Sequence, residues 1–231
     1  HSLGAKGRLF IPAQLRKELG DTLYVTMGLD GCLAVYPQET WDTFTEKFAS
    51  LPMSQSAAMR PLFDDPAVIA VGEIGLDHHW PLPAQEQYDL FEAQLQLAQE
   101  LDLPVSVHDR EAHAEMYELL RQYRPRGVLH CYSGSAEDAA WLTAQGMALG
   151  FGGAVTYKGA KRAAKVLAMV PHELAVLETD CPYMSPEPVR GTRNDSRNIA
   201  HVAAKIGEIW QMDAQSVLDL TAENAKRIFN Q

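Results

Sequence analysis

The sequence predicts an α/β fold: a partial TIM-type (β/α) barrel of five βα units, preceded by a small β-rich α+β segment. Three observations predict it. From residue 67 onward, short apolar runs alternate with amphipathic stretches of helical length, the pattern of a parallel sheet with right-handed crossovers. Those runs are apolar throughout, as strands buried on both faces are. Before residue 60 the texture differs, with short β-rich runs around an Asp-Gly turn signal.

The elements follow in order. GRLFIP (7–12) reads as a brief strand stopped by Pro12, and 13–19 as a short helix ending at Gly20. TLYVTMG (22–28) and CLAVYP (32–37) read as strands of a hairpin turned at Asp30-Gly31. In 38–51, Trp41, Phe44, Phe48 and Leu51 fall at helical spacing. PMSQSAAMRP (52–61) is small, polar and closed by proline at both ends, and reads as a linker. Beyond it, strands are expected at 67–75, 104–108, 127–131, 147–153 and 174–180. Helices are expected at 86–101, 111–123, 136–146, 159–170, near 195–210, and at 214–229. The domain reading is therefore 1–58 for the N-terminal segment, 59–66 for the junction and 67–231 for the barrel portion.

Charge is unevenly spread. Residues 1–60 hold six Lys/Arg against six Asp/Glu, whereas 61–231 hold fourteen against twenty-four and carry the whole formal charge of −10. Such an acidic, His-rich segment is expected to bind nucleic acid poorly without specificity and to be able to hold a divalent cation. No apolar run approaches the roughly eighteen residues a membrane helix needs. Three cysteines, few and odd in number, favour a reducing compartment, so a cytoplasmic protein without a signal peptide is expected.

The chemistry lies at strand ends. Glu73 follows AVIAVG, His108 follows PVSV, His130 follows GVL, and Asp180 follows LAVLET. Strand C-termini of a parallel barrel open onto one face, where their side chains converge. Two imidazoles and two carboxylates suit a first-row divalent ion, and a carboxylate can bridge two ions about 3.5–4 Å apart. His78, His79, His113, His172 and His201 read as ordinary polar residues. Asp77 is intermediate, because it carries the Glu73 strand into a loop over the same face.

VGEIGLDHHW, LPVSVHDREAH, GVLHCYSGS, LGFGGAVTYK, LETDCPYMSPEPVRGTRN and TAENAKRIF, in this order from about 61 to 231, resemble the TatD family of metal-dependent deoxyribonucleases. The resemblance implies a (β/α)8 barrel holding one or two divalent ions (Mg, Mn, Zn or Ni). It implies phosphodiester hydrolysis, often as a 3′ to 5′ exonuclease on DNA. It implies that Glu73 bridges the ions and that His108 and His130 complete one site. Asp180 then serves the other site as base or water-orienting group, so that Asp180 and Glu73 form the catalytic pair. Arg110, Arg190 and Arg193 fall in matching loops and would contact phosphates.

One departure is large: the family's opening strand carries His-x-His, and no such pair occurs in this chain. The site served by that pair is expected to lack two ligands, and activity to be weak or lost. HSLGAKGRLFIPAQLRKEL and LYVTMGLDGCLAVYPQETWDTFTEKFASLP (about 1–58) resemble instead the first half of MraZ, a bacterial DNA-binding transcriptional regulator. That resemblance implies a swapped-hairpin β motif in a ring-shaped oligomer. Lys6 and Arg8 then contact DNA phosphates or merely solvate a β-turn, since one neutral half-module lacks a basic face. Five parallel strands cannot close an eight-stranded barrel. The N-terminal segment is therefore expected either to complete the sheet or to mediate a homodimer through exposed edges. Three readings stand: a metal-dependent DNase, a DNA-binding regulator, or a non-catalytic chimera joined near Met59–Pro66.

Overall fold

The computed structural model describes Leu23–Met27, Leu33–Pro37 and residues 60–230. The chain divides into two compact units, His1–Ala58 and Met59–Gln231. In the first, β1 (Leu23–Met27) pairs antiparallel with β2 (Leu33–Pro37), with Met27 opposite Leu33, flanking the Asp-Gly turn signal. Lys6, Arg8, the expected strand at 7–12 and the expected helices at 13–19 and 38–51 lie outside the described residues.

The second unit alternates strand and helix: β3 (Val71–Asp77), α1 (Ala84–Glu100), β4 (Val105–Arg110), α2 (His113–Tyr123), β5 (Gly127–Leu129), α3 (Ala136–Ala144), β6 (Ala148–Phe151), α4 (Lys161–Leu167), β7 (Ala175–Leu177), then α5 (Ile199–Trp210) and α6 (Ala214–Ile228). The five strands form one parallel sheet in chain order, β3-β4-β5-β6-β7. Every crossover is thus between neighbours, and all strand C-termini open on the same edge of the sheet.

The helices form because their apolar stripes have a sheet to cover. Phe91 and Leu95 of α1 and Met116, Leu119 and Leu120 of α2 join Val105, Val107, Leu129, Leu149 and Phe151 in one core. Each such side chain contributes about 1.5–3 kcal/mol when fully buried. Val128, Ala148 and Val176 belong to a second, smaller cluster with Ala225, Ile228 and Phe229 at the end of α6. Successive strand residues therefore enter different clusters, which is why the strands read as unbroken apolar runs. Ser135 caps α3 by accepting the Asp138 N–H, and Asp213 caps α6 by accepting that of Ser216.

Two sequence expectations are corrected. The strand expected at 67–75 begins at Val71. Asp65 accepts the Ala67 N–H on its carboxylate and the Val68 N–H on its carbonyl, and this turn beside Pro66 holds 66–68 out of the sheet. The strand expected at 174–180 ends at Leu177. Asp180 stands at φ 51°, so the chain leaves the extended conformation before reaching it.

Candidate metal centre

Glu73 is the third residue of β3, not its end, and a local irregularity sets its direction. Val71 pairs with Val105 but Ile74 with Val107, so the β3–β4 register shifts between Val71 and Ile74. Val71 and Ile74 are both buried while Gly72 and Glu73 between them face outward. A bulge of this kind re-aims a side chain, and here it turns the carboxylate toward His108. The next turn of strand is equally constrained. Gly75 has φ 143°, and a Cβ there would stand 1.9 Å from the His108 carbonyl oxygen. Only glycine lets β3 approach β4 this closely.

Three of the four sequence-derived ligands meet. Glu73 Oε1 lies 3.0 Å from His108 Nδ1 and 2.6 Å from His130 Nε2. The two imidazole nitrogens are 3.0 Å apart. Each neutral ring offers a lone pair and the carboxylate is an anion, so the three atoms are a donor triangle. Donors about 2.1 Å from one ion at right angles to each other stand about 3.0 Å apart, the length of two of the three edges, and the Glu73–His130 edge is shorter at 2.6 Å. His108 also carries its own orienting partner: its Nε2 lies 3.1 Å from Asp77 Oδ2. A proton held between those two atoms leaves Nδ1 bare and facing Glu73.

His130 faces two ways. Its Nδ1 is turned toward Glu178 Oε2 at 4.0 Å, and Glu178 Oε1 accepts the Cys131 N–H at 2.5 Å. Burial pushes the Glu178 carboxyl up from the ordinary glutamate range, and His130 opposes the shift. Burial, then the charge of Glu178, pushes the Cys131 thiol far up as well. His130, Cys131 and Glu178 form a second group of possible donors. Gly150 makes room for this arrangement: a Cβ there would stand 2.4 Å from Glu178 Oε2 and 3.1 Å from the His130 Cα.

The structure does not bring Asp180 into either group; it is exposed beyond β7, near enough for its charge to act on Cys131 and Glu178. Arg110 ends β4 opposite Asp77, while Arg190 and Arg193 lie exposed in the loop after β7. The histidines read as ordinary polar residues have other neighbours. His78 pairs with Glu115, His79 with Glu111 and His113 with Asp109, and His172 stacks on Trp210. Sequence reasoning passed over Glu178. Its signal was present in LETD, where a second carboxylate stands two residues before Asp180, on the same side of an extended chain.

A family model described as TatD related DNase matches residues 13–230. The metal-dependent hydrolase YabD of Bacillus subtilis is 39% identical over 166 residues, which is 70% of this chain and 65% of that protein. The 3′-5′ ssDNA/RNA exonuclease TatD of Edwardsiella piscicida is 35% identical over 188 residues, covering 76% of this chain and 71% of the relative. The crystal structure of the TatD homolog YJJV from Escherichia coli superposes with a TM-score of 0.69 at 33% identity, covering 78% of this chain and 69% of that one. The chain thus spans about two thirds of the length of the proteins it resembles.

Proposed function

Because the chain belongs to the TatD-related DNase family, we propose that it hydrolyses phosphodiester bonds in nucleic acid, with Glu73, His108 and His130 holding a divalent ion. The observation that carries this reading is the donor triangle, whose edges are 2.6, 3.0 and 3.0 Å. Two imidazoles and one carboxylate favour Zn, Mn or Ni over the all-oxygen surroundings that Mg prefers. When bound, the ion supplies Lewis acidity to a phosphoryl oxygen. The remaining work falls to the chain's own residues. Asp77 keeps His108 in the ligating tautomer, and Glu178 backs His130. Asp180, exposed beyond β7, takes a proton from the attacking water as its oxygen joins phosphorus, and hands a proton to the sugar oxygen as its bond to phosphorus breaks. Arg110, Arg190 and Arg193 offset the charge of the phosphates.

Turnover is slow on this reading, because the chain contains no His-x-His pair to complete a second ion's ligand set. The alternative, a DNA-binding regulator acting through Lys6 and Arg8 of a MraZ-like 1–58, is supported by sequence resemblance. Among the described residues β3 and β7 each pair with one strand, and such edges suit a homodimer. A cytoplasmic setting fits Cys131 and Cys181, which are free thiols.

The test is metal analysis with a nuclease assay. Protein loaded with Mn, Zn or Ni should hold stoichiometric ion and shorten a single-stranded oligonucleotide. Glu73→Ala and His130→Ala should abolish both. Degradation that survives chelation, or a sequence-specific gel shift without degradation, would overturn the proposal.

A further inference from the structure

Cations are concentrated on one flank of the site. Residues 152–197 hold seven of the fourteen Lys/Arg of 61–231 but five of its twenty-four Asp/Glu. This stretch runs from the loop after β6 through α4 and β7 into the loop after β7. The rest of the unit carries seven cations against nineteen carboxylates. Lys158, Lys161, Arg162 and Arg193 have no carboxylate within 4.0 Å among the described residues. A cationic flank beside an ion-holding cluster, on an otherwise acidic body, attracts a polyanion to one side of that cluster.

Within this flank one cation is preset. The Arg190 guanidinium carbon lies 4.0 Å from the centre of the Tyr157 ring. Its Nη1 is 3.9 Å from Glu187 Oε1, and the side chain is 54% exposed. Stacking occupies one face of the guanidinium and leaves its in-plane N–H groups for an oxyanion. The two loops are fastened beside this stack. The Thr156 hydroxyl accepts the Glu187 N–H at 2.9 Å and donates to the Gly153 carbonyl at 2.6 Å. The same loops reach the site: the Cys131 and Met184 sulfurs lie 3.6 Å apart, and a Cβ on Gly153 would stand 1.9 Å from the Met184 carbonyl oxygen.

We infer that Tyr157 and Arg190 form a clamp for a nucleic-acid phosphate next to the one being cut, with Lys158 and Lys161 continuing the track. Arg190 supplies the hydrogen bonds. Tyr157 is a positioning residue, which holds the guanidinium plane so that little side-chain entropy is lost when the phosphate arrives. The clamp rests on the functional reading above, and it adds which side of the cluster the substrate backbone occupies.

Steady-state kinetics of the metal-loaded protein on a single-stranded oligothymidylate, at several salt concentrations, tests it. Arg190→Ala should raise KM about tenfold, the worth of a charge-assisted hydrogen bond, with a smaller change in kcat. It should flatten the slope of log KM against log salt by about 0.7, one phosphate contact on a single strand. Lys161→Ala, on a helix and away from the stack, should flatten the slope independently. Tyr157→Leu should raise KM like Arg190→Ala, and Tyr157→Phe, which keeps the ring face, should restore it. Unchanged KM and slope in both Arg190→Ala and Lys161→Ala, in a protein that still degrades the oligonucleotide, would overturn the clamp and leave the proposed function standing. If the loaded wild type degrades no nucleic acid, the functional reading falls and takes the clamp with it.

Discussion

The two flanks of the strand-end face are built from opposite charges. On the β3–β4 flank the carboxylates lie against imidazoles, and Arg110 is exposed at the end of β4. Glu73 and Asp77 hold His108, and Glu111 and Glu115 engage His79 and His78. On the β6–β7 flank the cations point outward and carry few partners. On the proposed function, the difference teaches how an acidic chain would handle a polyanion: carboxylates order imidazoles at one side, and most of the cations that would meet the substrate are kept to the other. His130 stands between them, with one ring nitrogen on Glu73 and the other toward Glu178.

That position makes His130 the place where the comparison breaks most completely. His130→Ala should remove an ion ligand and the partner of Glu178 at once. Ion affinity, read by competition with a chelating dye, should fall more than about a hundredfold, beyond the ten- to hundredfold that loss of an orienting partner costs. Asp77→Asn separates the flanks more cleanly. It keeps the size of the side chain but weakens the anchor on His108 Nε2. Ion affinity should fall about ten- to hundredfold, while the salt dependence of nucleic-acid binding stays as in the wild type. A changed salt slope in Asp77→Asn would show that the two flanks are not independent.

Gly150→Ala probes the seam. The added methyl would meet Glu178 Oε2 and the His130 backbone, so either the carboxylate or β6 must shift. Overpacking of this kind costs about 1–3 kcal/mol. Chemical denaturation should show that loss, accompanied by weaker ion binding. A stable protein with full ion affinity would mean that Glu178 does not orient His130.

Much of this arrangement was legible in the sequence because it follows from periodicity. Five apolar runs spaced by helices put His108 and His130 on one face whatever the details of the loops. The direction of Glu73 was not legible, since it depends on a register shift in β3 that no residue pattern announces. Asp180 was read as a strand end by extending β7 through LETD; the strand ends at Leu177, Glu178 lies 4.0 Å from His130, and Asp180 stands exposed beyond the strand. The role of Asp77 was half visible, because a carboxylate just past a ligand strand can face either the site or the solvent. The stack of Arg190 on Tyr157 joins loops thirty-three residues apart, and single-chain spacing carries no sign of it.

The smallest expected effect sharpens the cationic flank. Asp195 lies among its arginines, where its carboxylate accepts the Arg197 N–H at 3.0 Å and the Arg197 guanidinium at 2.9 and 2.7 Å. These hydrogen bonds hold its pKa down at about 2, against the ordinary 3.8. The sign follows from that direction. The folded chain keeps Asp195 ionised at a pH where the unfolded chain has taken up a proton. The stabilisation is therefore present above 3.8 and is lost as pH falls toward 2. Because the group is exposed, the effect is local and screened by salt. Carboxyl NMR should place the Asp195 midpoint near the lower value, and Arg197→Ala should move it up toward 3.8. If the midpoint already sits at the ordinary value, Arg197 is not engaged by Asp195 in solution. It then counts as a further open cation for the phosphate track, and the flank is more positive than its ion pairs suggest.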